Sequence, residues 1–231
     1  MKQLSSVCAI LVAGGMAAST AQAAPIINAY TSGASFAVSS ADIGETAATV
    51  SGVATWGGGA TQGSLANLNH RGGATNETTA GNGSYELGIG VGVGLENNAN
   101  SVIYTFDLTT ATNGWDISQI TSFASWDTGG GGRSNQGYSV TAKLVDNSIV
   151  NVLPAQVYTA GGSVATKVDI TNLALTKVKS LTFADFPNAP SGSFGNVYHE
   201  IDIFGTATIP EPASLALLGL SGLVLLRRRR N

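Results

Sequence analysis

Tyr138-Ser139-Val140-Thr141-Ala142-Lys143-Leu144 is the stretch that decides the fold class. Tyr138, Val140, Ala142 and Leu144 fall on one side, with Ser139, Thr141 and Lys143 on the other. Strict alternation of this kind marks a strand with one face on a core and the other in water. Working outward, Val102 to Leu108 repeats the pattern with its even positions apolar. In Val197 to Phe204, Val197, His199, Ile201 and Ile203 alternate with Tyr198, Glu200 and Asp202. Further strands are predicted at Ala48–Thr55, Glu86–Val93, Ile117–Ser125, Val150–Leu153, Val164–Ile170 and Lys179–Phe183. Thirty glycines, with frequent Thr, Ser, Asn and Val, suit strands joined by tight turns. Between Ala24 and Gly205 no helical period of useful length appears. The expectation is an all-β protein, a single antiparallel β-sandwich or jelly roll over residues 24–205. In Gly88 to Gly94 every second residue is glycine, which predicts a strand approached closely by an aromatic side chain.

Both ends of the 231-residue chain read as targeting segments and stand outside the fold. Lys2, the apolar stretch Val7 to Ala18 and the small-x-small site Ala21-Gln22-Ala23 predict a signal helix over residues 1–23, cut by signal peptidase after Ala23. The apolar stretch is shorter than the ~20 residues that a membrane span needs, which favours a cleaved signal over an anchor. Cys8, the only cysteine, lies at the start of that stretch and so does not fit a lipidation site. A domain that begins at Ala24 therefore has neither disulfides nor thiolate metal sites. Setting aside Lys2, Glu211 and the terminal arginines leaves six basic and 13 acidic residues between Ala24 and Ile209, a net −7. That balance argues against nucleic acid as a partner.

Residues 206–209 read as a linker, and the tail 210–231 follows. Pro210-Glu211-Pro212 opens it. Pro212 suits the first turn of a helix and Glu211 its positive end. The apolar run Ala213 to Leu226 has 14 residues and reads as a short transmembrane helix of about 21 Å, against about 30 Å of hydrocarbon. Arg227, Arg228, Arg229 and Arg230 would stay on the cytoplasmic side, leaving the domain outside. The order of Pro-Glu-Pro, apolar span and arginine cluster resembles the PEP-CTERM sorting signal of exopolysaccharide-producing Gram-negative bacteria. The resemblance implies transient anchoring in the inner membrane, processing by an exosortase, and release to the cell surface or extracellular matrix, as in a biofilm. A plain tail anchor is the alternative.

Tyr104 to Leu108, Trp115 to Ile120, Trp126-Asp127 with Arg133, Gln136 to Val140, and Val197 to Gly205 together resemble galactose-binding-like (discoidin-type) jelly rolls. The resemblance implies ligand binding in loops at one end of the sandwich, and a structural calcium. The Asp-Gly pair of an early calcium loop has its nearest counterpart at Asn69-His70-Arg71-Gly72, which lacks the aspartate.

Trp126 to Gln136 is the best candidate binding loop. An exposed Trp126 can cover the apolar face of a sugar, while Asp127, Arg133, Asn135 and Gln136 can bond its hydroxyls. The four intervening glycines permit close approach of the backbone. The plainer alternative is that Trp126 caps the core and Asp127 pairs with Arg133. For calcium the candidates are Glu77, in the polar stretch Asn67 to Ser84, and Glu200, ahead of Asp202. Glu200 and Asp202 share a face and need partners or a cation if it is buried; otherwise they form a solvated acidic stripe. Only His70 and His199 exist, so a three-histidine metal site is excluded. His199 reads as a core residue. No Gly-x-Ser-x-Gly elbow and no phosphate-binding loop occurs. The reading is a non-catalytic, exported β-sandwich that binds extracellular polysaccharide. The alternatives are a structural or adhesive matrix component without a small ligand, and a polysaccharide hydrolase.

Overall fold

The structure is a computed structural model that describes residues 24–32, 36, 39, 41–54, 65–69, 93–95, 100–124, 135–159, 165–186 and 196–209. Ten strands fall in this set: β1 (Ile26–Ser32), β2 (Ala48–Val53), β3 (Val93–Leu95), β4 (Ser101–Phe106), β5 (Trp115–Ala124), β6 (Gln136–Leu144), β7 (Ile149–Thr159), β8 (Ala165–Thr171), β9 (Leu175–Ala184) and β10 (Asn196–Ala207). One short helix, α1 (Ile43–Ala47), precedes β2, and a 3-10 turn spans Leu65–Leu68. Among the described residues no helix is long and apolar enough to cross a membrane. The expected signal helix and the Ala213–Leu226 span lie outside the described residues.

Every pairing is antiparallel. The path runs β1-β8-β5-β9-β4-β2, with β10 between β5 and β3, and with β6 joining β9 to β7. β5 pairs with β9 only over a few residues near Trp115 and Ile117. That junction joins two layers: β1, β8, β5, β10 and β3 on one side, and β7, β6, β9, β4 and β2 on the other. The layers meet through aromatic rings. The Tyr138 ring of β6 lies 6.3 Å from the Tyr198 ring of β10 and 5.4 Å from the Phe183 ring of β9. Tyr104 of β4 reaches across to the Ile201 carbonyl at 3.2 Å. These rings supply bulk between the layers that Val and Ile alone do not.

The open alternation of β6 holds: Tyr138, Val140 and Ala142 are fully buried. β10 departs from expectation. Its residues from Asn196 to Ile203 are buried on both faces, His199 excepted. Between Tyr198 and Glu200 the register against β5 shifts by one, so His199 is an extra, half-buried residue at a bulge rather than a core residue. Three described elements escaped the sequence pattern, β1, α1 and the Leu65–Leu68 turn. β10 also runs on through Thr206 and Ala207, two of the four positions expected to form the linker. Of the predicted strand Glu86–Val93 only the last residue falls in β3; the glycine run before it lies outside the described residues.

The two layers share a direction. β5 starts beside the start of β9, where Trp115 pairs with Val178, and beside the end of β10, where it pairs with Ala207. At the other end Ala124 pairs with Tyr198, whose hydroxyl binds the backbone of Gly137 at the start of β6. The sandwich thus has a Trp115 end and an Ala124 end.

Candidate metal centre

Asp42 caps α1. Its carboxylate accepts the backbone N–H of Gly44 at 2.7 Å and of Glu45 at 3.1 Å, two donors that a helix start leaves without intrahelical acceptors. The same carboxylate accepts the Ile203 N–H of β10 at 2.6 Å. One side chain therefore ties a helix near the start of the domain to its last strand. Asp42 is fully buried. Burial pushes its carboxyl up to about 6, against the three backbone hydrogen bonds, which pull it down.

Glu200 and Asp202, on the face of β10 opposite Ile201 and Ile203, are 2% and 1% exposed. With Asp42 they offer three carboxylate oxygens within 4.8 Å of one another. The expected solvated stripe is therefore a buried cluster. Its combined field is felt at Tyr104: burial first, then the charges of Asp42, Glu200 and Asp202, hold that hydroxyl well above its usual range. Like charges at this spacing repel strongly in a poorly solvated place.

Asn69 adds a neutral oxygen. Its Nδ2 donates to the Ala48 carbonyl at 3.1 Å. Its buried Oδ1 accepts no hydrogen bond among the described residues. A Cβ added at Gly44 would lie 3.0 Å from both carboxylate oxygens of Asp42 and 3.1 Å from Asn69 Oδ1. The Asn69 oxygen thus approaches the Asp42 carboxylate with only the bare glycine between. A buried amide oxygen that accepts nothing among the described residues, set beside a carboxylate, is a poor arrangement for a dry protein and a good one for a cation.

The donor set is all oxygen: three carboxylates and an amide. Hard divalent ions such as calcium or magnesium take such ligands, whereas zinc prefers nitrogen or sulfur. Asp42, Glu200, Asp202 and Asn69 are thus the residues that would hold the structural calcium implied by the jelly-roll resemblance.

Among the sequence candidates, Glu200 sits in this centre, and Glu77 lies outside the described residues. Asn69, the first residue of the stretch set beside the calcium loop but lacking its aspartate, lies near Asp42 across Gly44. Asp42 was missed. Its signal was local and readable: Asp42 followed by Glu45 before an apolar pair is a helix N-cap pattern.

The binding-loop candidates fare differently. Trp126, Asp127 and Arg133 lie outside the described residues, and Asn135 is half-buried. Gln136 is fully buried, and its amide is engaged within the core. Its Nε2 donates to the Thr166 carbonyl and hydroxyl, both at 3.0 Å, and its Oε1 accepts from the Ser122 hydroxyl. Those bonds leave it no group to turn toward a sugar, so it anchors the loop rather than lining it. The signal residues Ala21 and Ala23 lie outside the described residues, as do Pro210, Glu211, Pro212 and Arg227 to Arg230.

The fold and the buried acids define a mostly β, antiparallel domain with a candidate hard-cation centre. Residues 208–230 of the chain match the PEP-CTERM protein-sorting motif. The motif implies an exported protein, membrane-linked sorting, and an exosortase as processing partner. No curated protein sequence matches the chain.

Proposed function

We propose that this protein is a non-catalytic β-sandwich of the cell surface or extracellular matrix, stapled by a divalent cation and binding carbohydrate through the loop that follows β5. The convergence of Asp42, Glu200 and Asp202 within 4.8 Å carries the reading of a cation-stapled exported domain. Calcium is plentiful outside cells, and a chain without disulfides gains from an ion that binds only its folded form. The carbohydrate reading rests on the residue types of Trp126, Asp127, Arg133 and Asn135. It is supported by the position of Ala124 and Gln136, which bring the two ends of that loop to one end of the sandwich.

The test uses the chain from Ala24 to Ile209 on a glycan array, in calcium and in EDTA, beside Trp126→Ala. Saturable binding lost in Trp126→Ala, with its melting temperature unchanged, supports the reading. Absence of binding together with concentration-dependent self-association favours the adhesive alternative. Turnover of a polysaccharide by the same preparation favours a hydrolase.

A further inference from the structure

The fold sends both ends of the described domain, Ala24 and Ala207, to the same end of the sandwich. β1 enters beside the end of β8, where Ile26 pairs with Thr171 and the Asn172 side chain holds the Ala24 carbonyl at 3.1 Å. β8 in turn is antiparallel to β5, with Thr166 opposite Ala124 and the Leu173 N–H on the Ser118 carbonyl. Ala24 therefore lies toward the Trp115 end. β10 leaves at that end too, with Ala207 paired to Trp115.

The exit is clamped beyond the strand. The Thr208 N–H donates to the Gly114 carbonyl at 2.9 Å. Its hydroxyl donates to Asp116 Oδ1, which also accepts the Lys177 N–H at 3.2 Å. Only Ile209, 83% exposed, separates this clamp from Pro210. Two Cα steps span at most about 7 Å.

Charge is distributed along the same axis. Lys143, Lys177 and Lys179, half of the six basic residues between Ala24 and Ile209, sit at the Trp115 end with Asp107, Asp116 and Asp146. The Lys179 ammonium holds Asn147 in the β6–β7 turn, and Val145 of that turn binds the Lys177 carbonyl. Glu45 of α1 lies at this end too, because the Ala47 carbonyl accepts the Asp107 N–H, so among the described residues the end mixes three lysines with four acids.

We infer that, before processing, the domain stands end-on against the outer face of the inner membrane, with the turns around Thr112 and Ser148 facing the lipid headgroups. The Ala124 end, which carries the opening of the proposed carbohydrate loop, then points away from the bilayer. β5 has ten residues, so its far end stands about 33 Å further out. The membrane-held precursor presents the same face as the released protein. The inference rests on the reading of the tail as a transient anchor.

The experiment uses the full-length chain in cells without exosortase activity. Cys8 lies in the signal, so one introduced cysteine is the only thiol of the domain once the signal is removed. Thr112→Cys and Ser148→Cys probe the Trp115 end. Gln156→Cys, opposite Tyr138 on β7, probes the other. All three positions are exposed. Each is treated with a bulky, membrane-impermeant maleimide in spheroplasts. The two proximal cysteines are expected to react several-fold more slowly than Gln156→Cys. The difference should vanish when a Gly/Ser spacer follows Thr208, or when the chain stops at Ile209. Equal rates in a chain that sediments with membranes overturn the inference and leave the anchoring intact. A chain that does not sediment with membranes overturns the anchoring, and the inference with it.

Discussion

Gly205 shows how a single atom can be forbidden. It sits where the register of β10 against β5 shifts. A Cβ there would come within 2.3 Å of the Asp116 carbonyl oxygen, which is backbone and has little freedom to retreat. Gly205→Ala is therefore expected to cost about 1–3 kcal/mol, the usual range for overpacking, read as a lower urea midpoint at unchanged slope. Asp42 makes the opposite kind of point, because one side chain serves three backbone donors and a candidate ion at once. Asp42→Ala should lose about 0.5–2 kcal/mol of capping even in EDTA. It should also lose the added stability that calcium gives the parent chain. Asn69→Ala keeps the cap, so it should weaken the calcium response while leaving the EDTA melting temperature close to that of the parent. A parent-like calcium response in both variants would remove these residues from the centre.

At the scale of elements, α1 and β10 are joined by the packing of Ile43 near Gly205 and by the polar link from Asp42 to Ile203, with the two acids of the strand beside it. An ion bound at 100 times its dissociation constant stabilises the native state by about 2.7 kcal/mol. For a domain of this size that is a rise in melting temperature of roughly 5–10 °C. The expected outcome is such a rise on adding calcium to the EDTA-treated chain, with hydrogen exchange slowed first at the Gly44, Glu45 and Ile203 amides. An unchanged melting curve would mean that the three acids share protons instead. The elements themselves were largely legible. β4 and β6 announce themselves by alternation, because one face meets the core and the other is more open, whereas β5 is buried on both faces from Ile120 to Ala124. β10 alternates too, yet both of its faces are covered, and covering is a property of α1 and the Leu65–Leu68 turn rather than of the strand. The bulge at His199 was equally silent, since an extra residue changes the pairing without changing the composition. The metal centre was half legible for the same reason. Glu200 and Asp202 declare a shared face, but Asp42 stands about 160 positions earlier, and nothing local says which helix cap meets which strand.

For the whole molecule, delivery depends on the tail and not on the sandwich. The motif match begins at Thr208, the residue whose hydroxyl and N–H are fixed by Asp116 and Gly114, so folded domain and sorting signal meet without a spacer. The run of 14 apolar residues is short for permanent residence in a membrane, and on the reading of the tail as a transient anchor its retention leans on the arginines that follow. On that same reading, each arginine held on the cytoplasmic side resists translocation and fixes the domain outside. Replacing Arg227 to Arg230 with glutamine leaves the domain's clamp, core and acidic centre untouched. The expected outcome is therefore specific: the chain is exported and folded, but it passes the membrane without being held, and the processed form falls. Immunoblots of membrane, periplasmic and medium fractions measure this directly, with calcium-dependent melting of the recovered chain as the control for folding. Normal retention and processing in the glutamine variant would show that Pro210-Glu211-Pro212 and the apolar run suffice. The arginines would then have no part in holding the domain at the membrane.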